Sequence, residues 1–282
     1  FDAWLKPRDG AKDPLPPVSL FVMGGGSGRK TPEGRLDHGG HWRSETSWPP
    51  IDASLTDYFL STAGALTTGP QATEEAFREY VHDPLNPVPT IGGAIASGAP
   101  LMEPGAYDQR EAKHIFGCKP PYQALRDRED VLVFETPPLE SDIEVIGPIC
   151  ARLFVSSDCV DTDFTIKLID VHPPSEDYPE GFAMNLSHGI LRARYREGFD
   201  RETWMTPGEI YFIEVQAFPT ANRFVRGHRI RLDVASSNFP HFDVNPNTDE
   251  PEGYGFTPRR ARNRVYMDAR RPSRLLLPII KR

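Results

Sequence analysis

The sequence has few cysteines and lacks any long apolar run. Only three of its 282 residues are cysteine, Cys118, Cys150 and Cys159, and no Cys-x-x-Cys or Cys/His zinc spacing is present. Three cysteines cannot all pair within the chain, so we expect free thiols and favour a reducing, cytoplasmic compartment. The apolar run LLLPII near residue 275 is far shorter than the roughly 20 residues that cross a bilayer. The sequence therefore predicts no membrane partner.

An excess of positive charge is also lacking. The chain has 32 Lys and Arg against 40 Asp and Glu, which gives a net charge of −8. This balance disfavours a nucleic acid as the main partner, because phosphate backbones attract basic surfaces. One basic cluster occurs between Arg259 and Arg264, and we interpret it as a solvated face or a partner contact.

Helix-compatible stretches are scarce, because the chain has 29 Pro and 23 Gly. Short segments with period-two alternation begin at Val18, Thr56 and Phe77, and denser ones follow from Val131 onward. In LRARYRE the alternation places Arg192, Arg194 and Arg196 on one solvated face, and RIRLDV repeats this pattern. The sequence predicts an all-β fold, a jelly-roll antiparallel β-sandwich of the galactose-binding-domain-like type, with long loops over residues 84–128.

The N-terminal segment differs from the rest. Phe1, Trp4 and Leu5 have helical spacing, and a proline-rich stretch follows them. We expect residues 1–17 to be a short helical remnant and a linker from a missing domain, and residues 18–282 to be the β-sandwich domain.

Catalytic motifs are not apparent. Ser27 in GGSGR, Ser97 in IASGA and Ser187 in NLSHG each lack the full Gly-x-Ser-x-Gly pattern of a nucleophile elbow. Asp37, His38 and His41 are closely spaced potential metal ligands, but a loop without a metal is the favoured interpretation. The set Asp158, Asp161 and Asp163 lacks the glycine and distal glutamate of a calcium loop, so no metal site is predicted.

Two tryptophans flank paired charges in the segment HWRSETSWP. Trp42 and Trp48 enclose Arg43 and Glu45, a composition that suits either core packing or a buried interface corner. Both alternatives stay open on the sequence alone.

Many motifs occur in an order that resembles a known family. They include FDAWLK, LFVMG, HWRSETSWP, DPLNPVPTIGG, YDQRE, VLVFETPPL, DTDFTIKLIDV, GHRIRLDVASSNFP and LPIIKR. The chain resembles the C-terminal half of the CocE/NonD hydrolases, the cocaine esterase and X-Pro dipeptidyl-peptidase group. In that family the catalytic Ser, Asp and His precede the segment that resembles FDAWLK. The resemblance therefore implies that no catalytic residue lies in this chain.

The same resemblance implies a role beside a catalytic partner. The partner would be an α/β-hydrolase domain, in the same gene or a separate chain, that acts without a cofactor on a small ester or amide through an acyl-enzyme. A homo-oligomer is compatible with this arrangement. Leu101, Met102 and Trp42 are candidates for a wall of the acyl pocket, while interface or structural roles are expected for Phe1, Trp4, Arg43, Glu45, Trp48, Asp108 and Arg110.

Two alternatives remain at this point. A jelly roll hosts many binding modules, so the chain could be a self-standing module for carbohydrate or protein. The other alternative is an independent hydrolase with an unrecognised site.

Overall fold

The computed structural model of the protein describes residues 16–70, 76–251 and 255–281. The predicted helical remnant with Phe1 and Trp4 lies outside these residues, as does most of the predicted linker. The described part contains no helix that is long and apolar enough to cross a membrane.

Strands and turns with little helix make up the described chain, as its proline and glycine content predicts, but the longest strands have 14 and 15 residues. Two single-turn 3-10 helices are present, at Leu125–Asp127 and Ala193–Tyr195. The strands within the described ranges are β1 Val18–Met23, β2 Gly40–Glu45, β3 Ala53–Leu60, β4 Leu66–Thr67, β5 Phe77–His82, β6 Leu132–Glu135, β7 Ile143–Ser157, β8 Asp163–His172, β9 Phe182–Arg192, β10 Tyr211–Phe224, β11 Arg229–Ala235, β12 Ala261–Tyr266 and β13 Arg274–Ile280. The predicted all-β fold is confirmed.

The strands pair almost entirely in antiparallel fashion. The main path runs β4-β3-β13-β7-β10-β9-β8-β11-β6, while β1 and β2 join at β10, and β12 and β5 join at β7. The two ends of the path meet, because the amide of Glu135, the last residue of β6, donates to the Gly64 carbonyl before β4 at 2.9 Å. The sheet therefore curls around one interior, and few free edges remain on the main path.

Inward-facing side chains of the strands fill that interior, and β10 shows the period-two alternation. In β10, Ile213, Val215 and Ala217 point inward while the residues between them are exposed. The main core comprises Phe134, Phe164, Phe224 and the aliphatic side chains of β7, β8, β11 and β13. Burial of each such side chain contributes about 1.5–3 kcal/mol.

The predicted solvated arginine faces are wrong. Strand β9 ends at Arg192, and the next residues form a 3-10 turn that buries Arg194. Arg231 in β11 is also buried, and its guanidinium contacts Asp233 on the same face at 2.6 and 2.7 Å. Each arginine turns inward because a buried carboxylate neutralises it.

Residues 84–128 form a long irregular region, as predicted, interrupted by one 3-10 turn. A second hydrophobic cluster anchors it beneath the loops, with Val88, Ile91, Leu125, Val131 and Ala235 at its centre. This rigid base positions the loops that carry Leu101, Met102, Asp108 and Arg110.

Candidate functional site

The three serines considered as nucleophiles lack a histidine partner in the described chain. The Ser27 hydroxyl donates to Asp37 at 2.7 Å, and the buried Ser187 hydroxyl donates to the Phe218 carbonyl at 2.5 Å. Ser97 lies half-buried in a loop. Acyl transfer needs a base within hydrogen-bond reach of the nucleophile, and none of these serines hydrogen-bonds to a described histidine.

The cysteine thiols do not offer an alternative nucleophile. All three cysteines are unpaired, and burial raises the pKa of Cys150 to about 11 and that of Cys159 to about 12. Burial also raises the pKa of Cys118. The reactive thiolate is therefore scarce at neutral pH.

The residues considered as metal ligands in the sequence do not come together as one ligand set in the described chain. Asp37 accepts hydrogen bonds from Ser27, and His41 is exposed on β2. Asp161 and Asp163 are buried and contact Arg194 and Arg192 at 2.8 and 2.9 Å. Both carboxylates are therefore paired with arginine side chains.

Leu101 and Met102 line one cavity of about 200 Å³ among the long loops. The wall is mainly apolar and aromatic, and it includes Pro100, Tyr107, Ile115 and Phe116. Glu103 and His114 add polar groups at this cavity, and the Tyr107 hydroxyl donates to Glu103. A small apolar pocket with a few polar groups is the usual form of a site for a small organic group.

The loop that carries this cavity is fixed at its neck. The amides of Gly93 and Gly105 each donate to the other residue's carbonyl, at 2.8 and 3.1 Å. Gly92 adopts a φ of +59°, and a Cβ there would lie 2.6 Å from the Gly105 carbonyl oxygen. Glycine is therefore required where the two loop arms cross.

Asp108 and Arg110 lie at the far end of the same loop. The Asp108 carboxylate accepts a hydrogen bond from the Ala183 amide of β9 at 2.9 Å, and burial raises the pKa of this carboxyl group. Arg110 forms an ion pair with Glu180. Both residues line a neighbouring cavity of about 310 Å³ that shares Tyr107 with the first. Their contacts tie the loop to the edge of β9.

Arg43 and Glu45 belong to a polar cluster on the inner side of β2. The Arg43 guanidinium contacts Glu45, Asp52 at 2.9 Å and Glu144 at 3.2 Å. Glu144 is buried in β7, so this cluster connects the β1–β2 hairpin to the main sheet.

Trp42 and Trp48 lie at the surface of the described chain. The side chain of Trp42 is 71% exposed and that of Trp48 is 45% exposed, and Phe21 contacts Trp42 edge-on with ring centres 5.6 Å apart. Ile51 and Leu55 are exposed on the segment that follows. Trp42 is not part of the wall of the cavity that contains Leu101 and Met102.

One cluster was missed by the sequence analysis. Asp170, His172 and His228 offer ligand atoms within 4.8 Å of one another, and they are the only such group of three in the described chain. The Asp-x-His spacing on β8 is a signal for two of them, whereas the approach of His228 depends on strand register.

Comparisons with known proteins agree on one family. The sequence profile of the X-Pro dipeptidyl-peptidase C-terminal non-catalytic domain matches residues 10–276. The chain is 38% identical over 300 residues to cocaine esterase of Rhodococcus sp. strain MB1 Bresler, covering all of this chain and 45% of the esterase. It is 27% identical to a putative serine esterase of Mycobacterium bovis, covering 99% of this chain and 40% of that protein. The chain thus spans less than half the length of these relatives.

Solved structures show the same relationship. An α-amino acid ester hydrolase superposes with a TM-score of 0.76 at 30% identity, covering 99% of this chain and 43% of the hydrolase. An aminopeptidase from a marine-sediment Thaumarchaeota archaeon gives a TM-score of 0.76 at 29% identity, with 99% and 42% covered. A CocE/NonD family hydrolase from Staphylococcus aureus shares the fold, with a TM-score of 0.64 at 16% identity, and 100% and 44% covered.

Proposed function

The chain belongs to the X-Pro dipeptidyl-peptidase C-terminal non-catalytic domain family, and from this membership we propose that it serves a serine hydrolase that acts on esters or amides. Catalysis would take place in an α/β-hydrolase domain outside this chain, through an acyl-enzyme and without a cofactor. The match over residues 10–276 is the observation that carries this proposal.

Active-site labelling tests this proposal directly. The complete gene product that contains this chain is treated with a fluorophosphonate, which reacts with activated serines, and the labelled peptide is identified by mass spectrometry. We expect one labelled serine outside the 282 residues. Label on Ser27, Ser97 or Ser187 would instead indicate an independent hydrolase, and no label at all would favour the self-standing binding module.

The physical task of the domain would be to cover the catalytic domain. Trp42, Trp48 and Phe21 expose large aromatic surfaces, and exposed apolar surface of this kind commonly marks an interaction site. The Arg43 cluster behind them holds the β1–β2 hairpin against β7, so these aromatics are presented on a fixed support. We therefore place the contact with the catalytic domain on this side of the hairpin.

Leu101 and Met102 are proposed to form one wall of the acyl pocket. The supporting observation is that both line an apolar cavity of about 200 Å³ whose loop is fixed at its neck and at its far end. A larger cavity of about 710 Å³ is lined mainly by charged groups, among them Glu79, Asp83 and Arg128, and does not suit an acyl chain.

Single substitutions in the complete gene product test this wall. Leu101→Ala and Met102→Ala enlarge the cavity, so the order of preference among acyl chain lengths, measured as kcat/KM, should shift toward longer chains. One methylene in such a pocket contributes about 1–3 kcal/mol, which is roughly a 10- to 200-fold preference. Leu85→Ala, at an exposed position outside the cavity, is the matched control. An unchanged order with only a lower melting temperature would assign Leu101 and Met102 to packing.

A further inference from the structure

Three metal-ligating side chains meet where β8 ends and β11 begins. Asp170 and His172 are two residues apart on β8, so they share one face of the strand. Arg229 pairs with Val171 in the antiparallel register, which brings the preceding His228 opposite His172. A His228 nitrogen lies 2.8 Å from Asp170, a His172 nitrogen lies 3.9 Å from it, and the two imidazole rings are centred 4.1 Å apart.

The charge of Asp170 lacks a permanent positive partner. Its carboxylate is fully buried, and in the described chain its contacts at salt-bridge distance are with the two histidine rings alone, which carry no permanent charge. Among the described residues no arginine or lysine neutralises it, although the other buried aspartates each have an arginine partner: Asp161, Asp163, Asp233 and Asp268. A buried charge is costly unless it is paired or coordinates a metal.

His172 adds an unused donor atom to the cluster. Its side chain is nine-tenths buried, and its Nε2 has no hydrogen-bond partner in the described chain. A ring nitrogen without a hydrogen-bond partner is free to bind a metal ion. His38 also has a buried Nδ1 without a hydrogen-bond partner among the described residues, and its loop lies close to the cluster, since a Cβ on Gly28 would be 3.9 Å from His172 Nδ1.

The donor set selects a class of ion. Two imidazoles and one carboxylate suit zinc and related divalent transition metals, whereas calcium and magnesium prefer oxygen ligands throughout. Zinc–nitrogen and zinc–oxygen bonds are about 2.0–2.2 Å long. The three ligand atoms lie within 4.8 Å of one another, so small side-chain shifts would bring all three to this bonding distance from one ion. Asn222 donates to the second Asp170 oxygen at 3.1 Å and would orient the carboxylate.

We propose that Asp170, His172 and His228 bind one divalent transition-metal ion, with zinc as the representative ligand. The ion would join the end of β8 to the start of β11. It would neutralise Asp170 and use the free nitrogen of His172. The site is independent of the proposed hydrolase function, and its role would be structural.

Metal binding by the full chain tests the proposal. After dialysis against a chelator, isothermal titration with ZnCl₂ should show one site with a micromolar or lower Kd, and zinc should raise the melting temperature. CaCl₂ and MgCl₂ should do neither. His172→Asn and His228→Asn should each weaken binding by at least about tenfold. His41→Asn, at an exposed histidine on β2, is the matched control and should bind zinc like the wild type.

A second measurement does not depend on the variants. Crystals of the wild-type chain soaked in ZnCl₂ should give an anomalous peak at the zinc absorption edge, within bonding distance of Asp170, His172 and His228. A weak or absent heat of binding, equal binding by the two variants, or a peak elsewhere with none at this cluster would overturn the proposal.

Discussion

Arg194 is the residue whose burial the sequence least suggests. Its guanidinium contacts Asp161 at 2.8 Å and Glu202 at 3.0 Å, donates to the carbonyls of Thr248 and Glu250, and stacks over Trp204 at 4.3 Å. One side chain thus connects its own turn to the segments around Asp161, Glu202 and Thr248.

Arg194→Ala should lower the free energy of unfolding by about 3–5 kcal/mol, because Asp161 would stay buried without its charged partner. Urea denaturation at pH 7 measures this change. Arg201→Ala is the control, since Arg201 is 69% exposed and its ion pair with Glu197 contributes less than about 1 kcal/mol. Equal effects of the two substitutions would contradict the assigned role of Arg194.

His188 makes stability depend on pH. It packs against Phe218, Phe242 and His241, and burial, with smaller effects of His241 and Lys167, lowers its pKa to about 3. The unfolded chain binds this proton near pH 6.5 and the folded chain does not. Stability from this group is therefore complete above pH 6.5 and is lost as the pH falls toward 3.

His188→Leu should remove this dependence. The free energy of unfolding of the wild type should fall relative to that of the variant by about 1.4 kcal/mol for each pH unit below 6.5. Urea titrations from pH 7 to pH 4.5 measure the difference. His41→Leu, at an exposed site, should keep the wild-type pH dependence, and parallel curves for wild type and His188→Leu would refute the assignment.

At the scale of elements, β9 and β10 touch at one closely packed point. Ala217 pairs with Gly189, and a Cβ on Gly189 would lie 2.0 Å from the Gln216 carbonyl oxygen. This close approach lets β10 lie between β7 and β9 in the sheet.

Gly189→Ala should therefore force the two strands apart and lower the free energy of unfolding by at least about 1–3 kcal/mol, the usual cost of overpacking. Gly98→Ala is the matched control, because no atom lies within 4 Å of its Cβ position. Thermal melting of both variants measures the contrast. A Gly189→Ala protein as stable as Gly98→Ala would show that the strands adjust freely.

The strands that the sequence predicts and those it misses differ in composition. The run IEVIGPICARLFVSS coincides with β7, because apolar residues dominate it. In the sequence, the arginines of β12 indicate a basic cluster and no strand. Its inward positions include the polar Asn263, whose amide donates to Thr162 and Ser236. Strand β2 is mostly polar and forms by pairing with β1. Such strands depend on long-range partners, which local patterns do not reveal.

The candidate sites likewise have parts that the sequence predicts and parts that it misses. The glycines and prolines around Leu101 and Met102 predict an irregular loop with an apolar centre, and the structure places both side chains at a cavity. The opposite wall, with Ile115 and Phe116, comes from a later part of the loop region. The pairing of Asp170 with His228 likewise requires the register of β8 and β11. Spacing within one segment is readable from sequence, and contact between segments is not.

For the molecule as a whole, the central claim is that these 282 residues form a non-catalytic domain. The family match covers nearly the whole chain, which spans less than half of its esterase relatives. The Ser27 hydroxyl donates to the Asp37 carboxylate and the Ser187 hydroxyl to the Phe218 carbonyl, and neither hydrogen-bonds to a described histidine.

The most direct test is the hydrolysis of p-nitrophenyl acetate and butyrate by the purified chain, alongside the complete gene product that contains it. We predict release of p-nitrophenol at the buffer rate for the chain and enzymatic turnover for the complete product. Turnover by the chain alone that Ser27→Ala, Ser97→Ala or Ser187→Ala abolishes would contradict the claim.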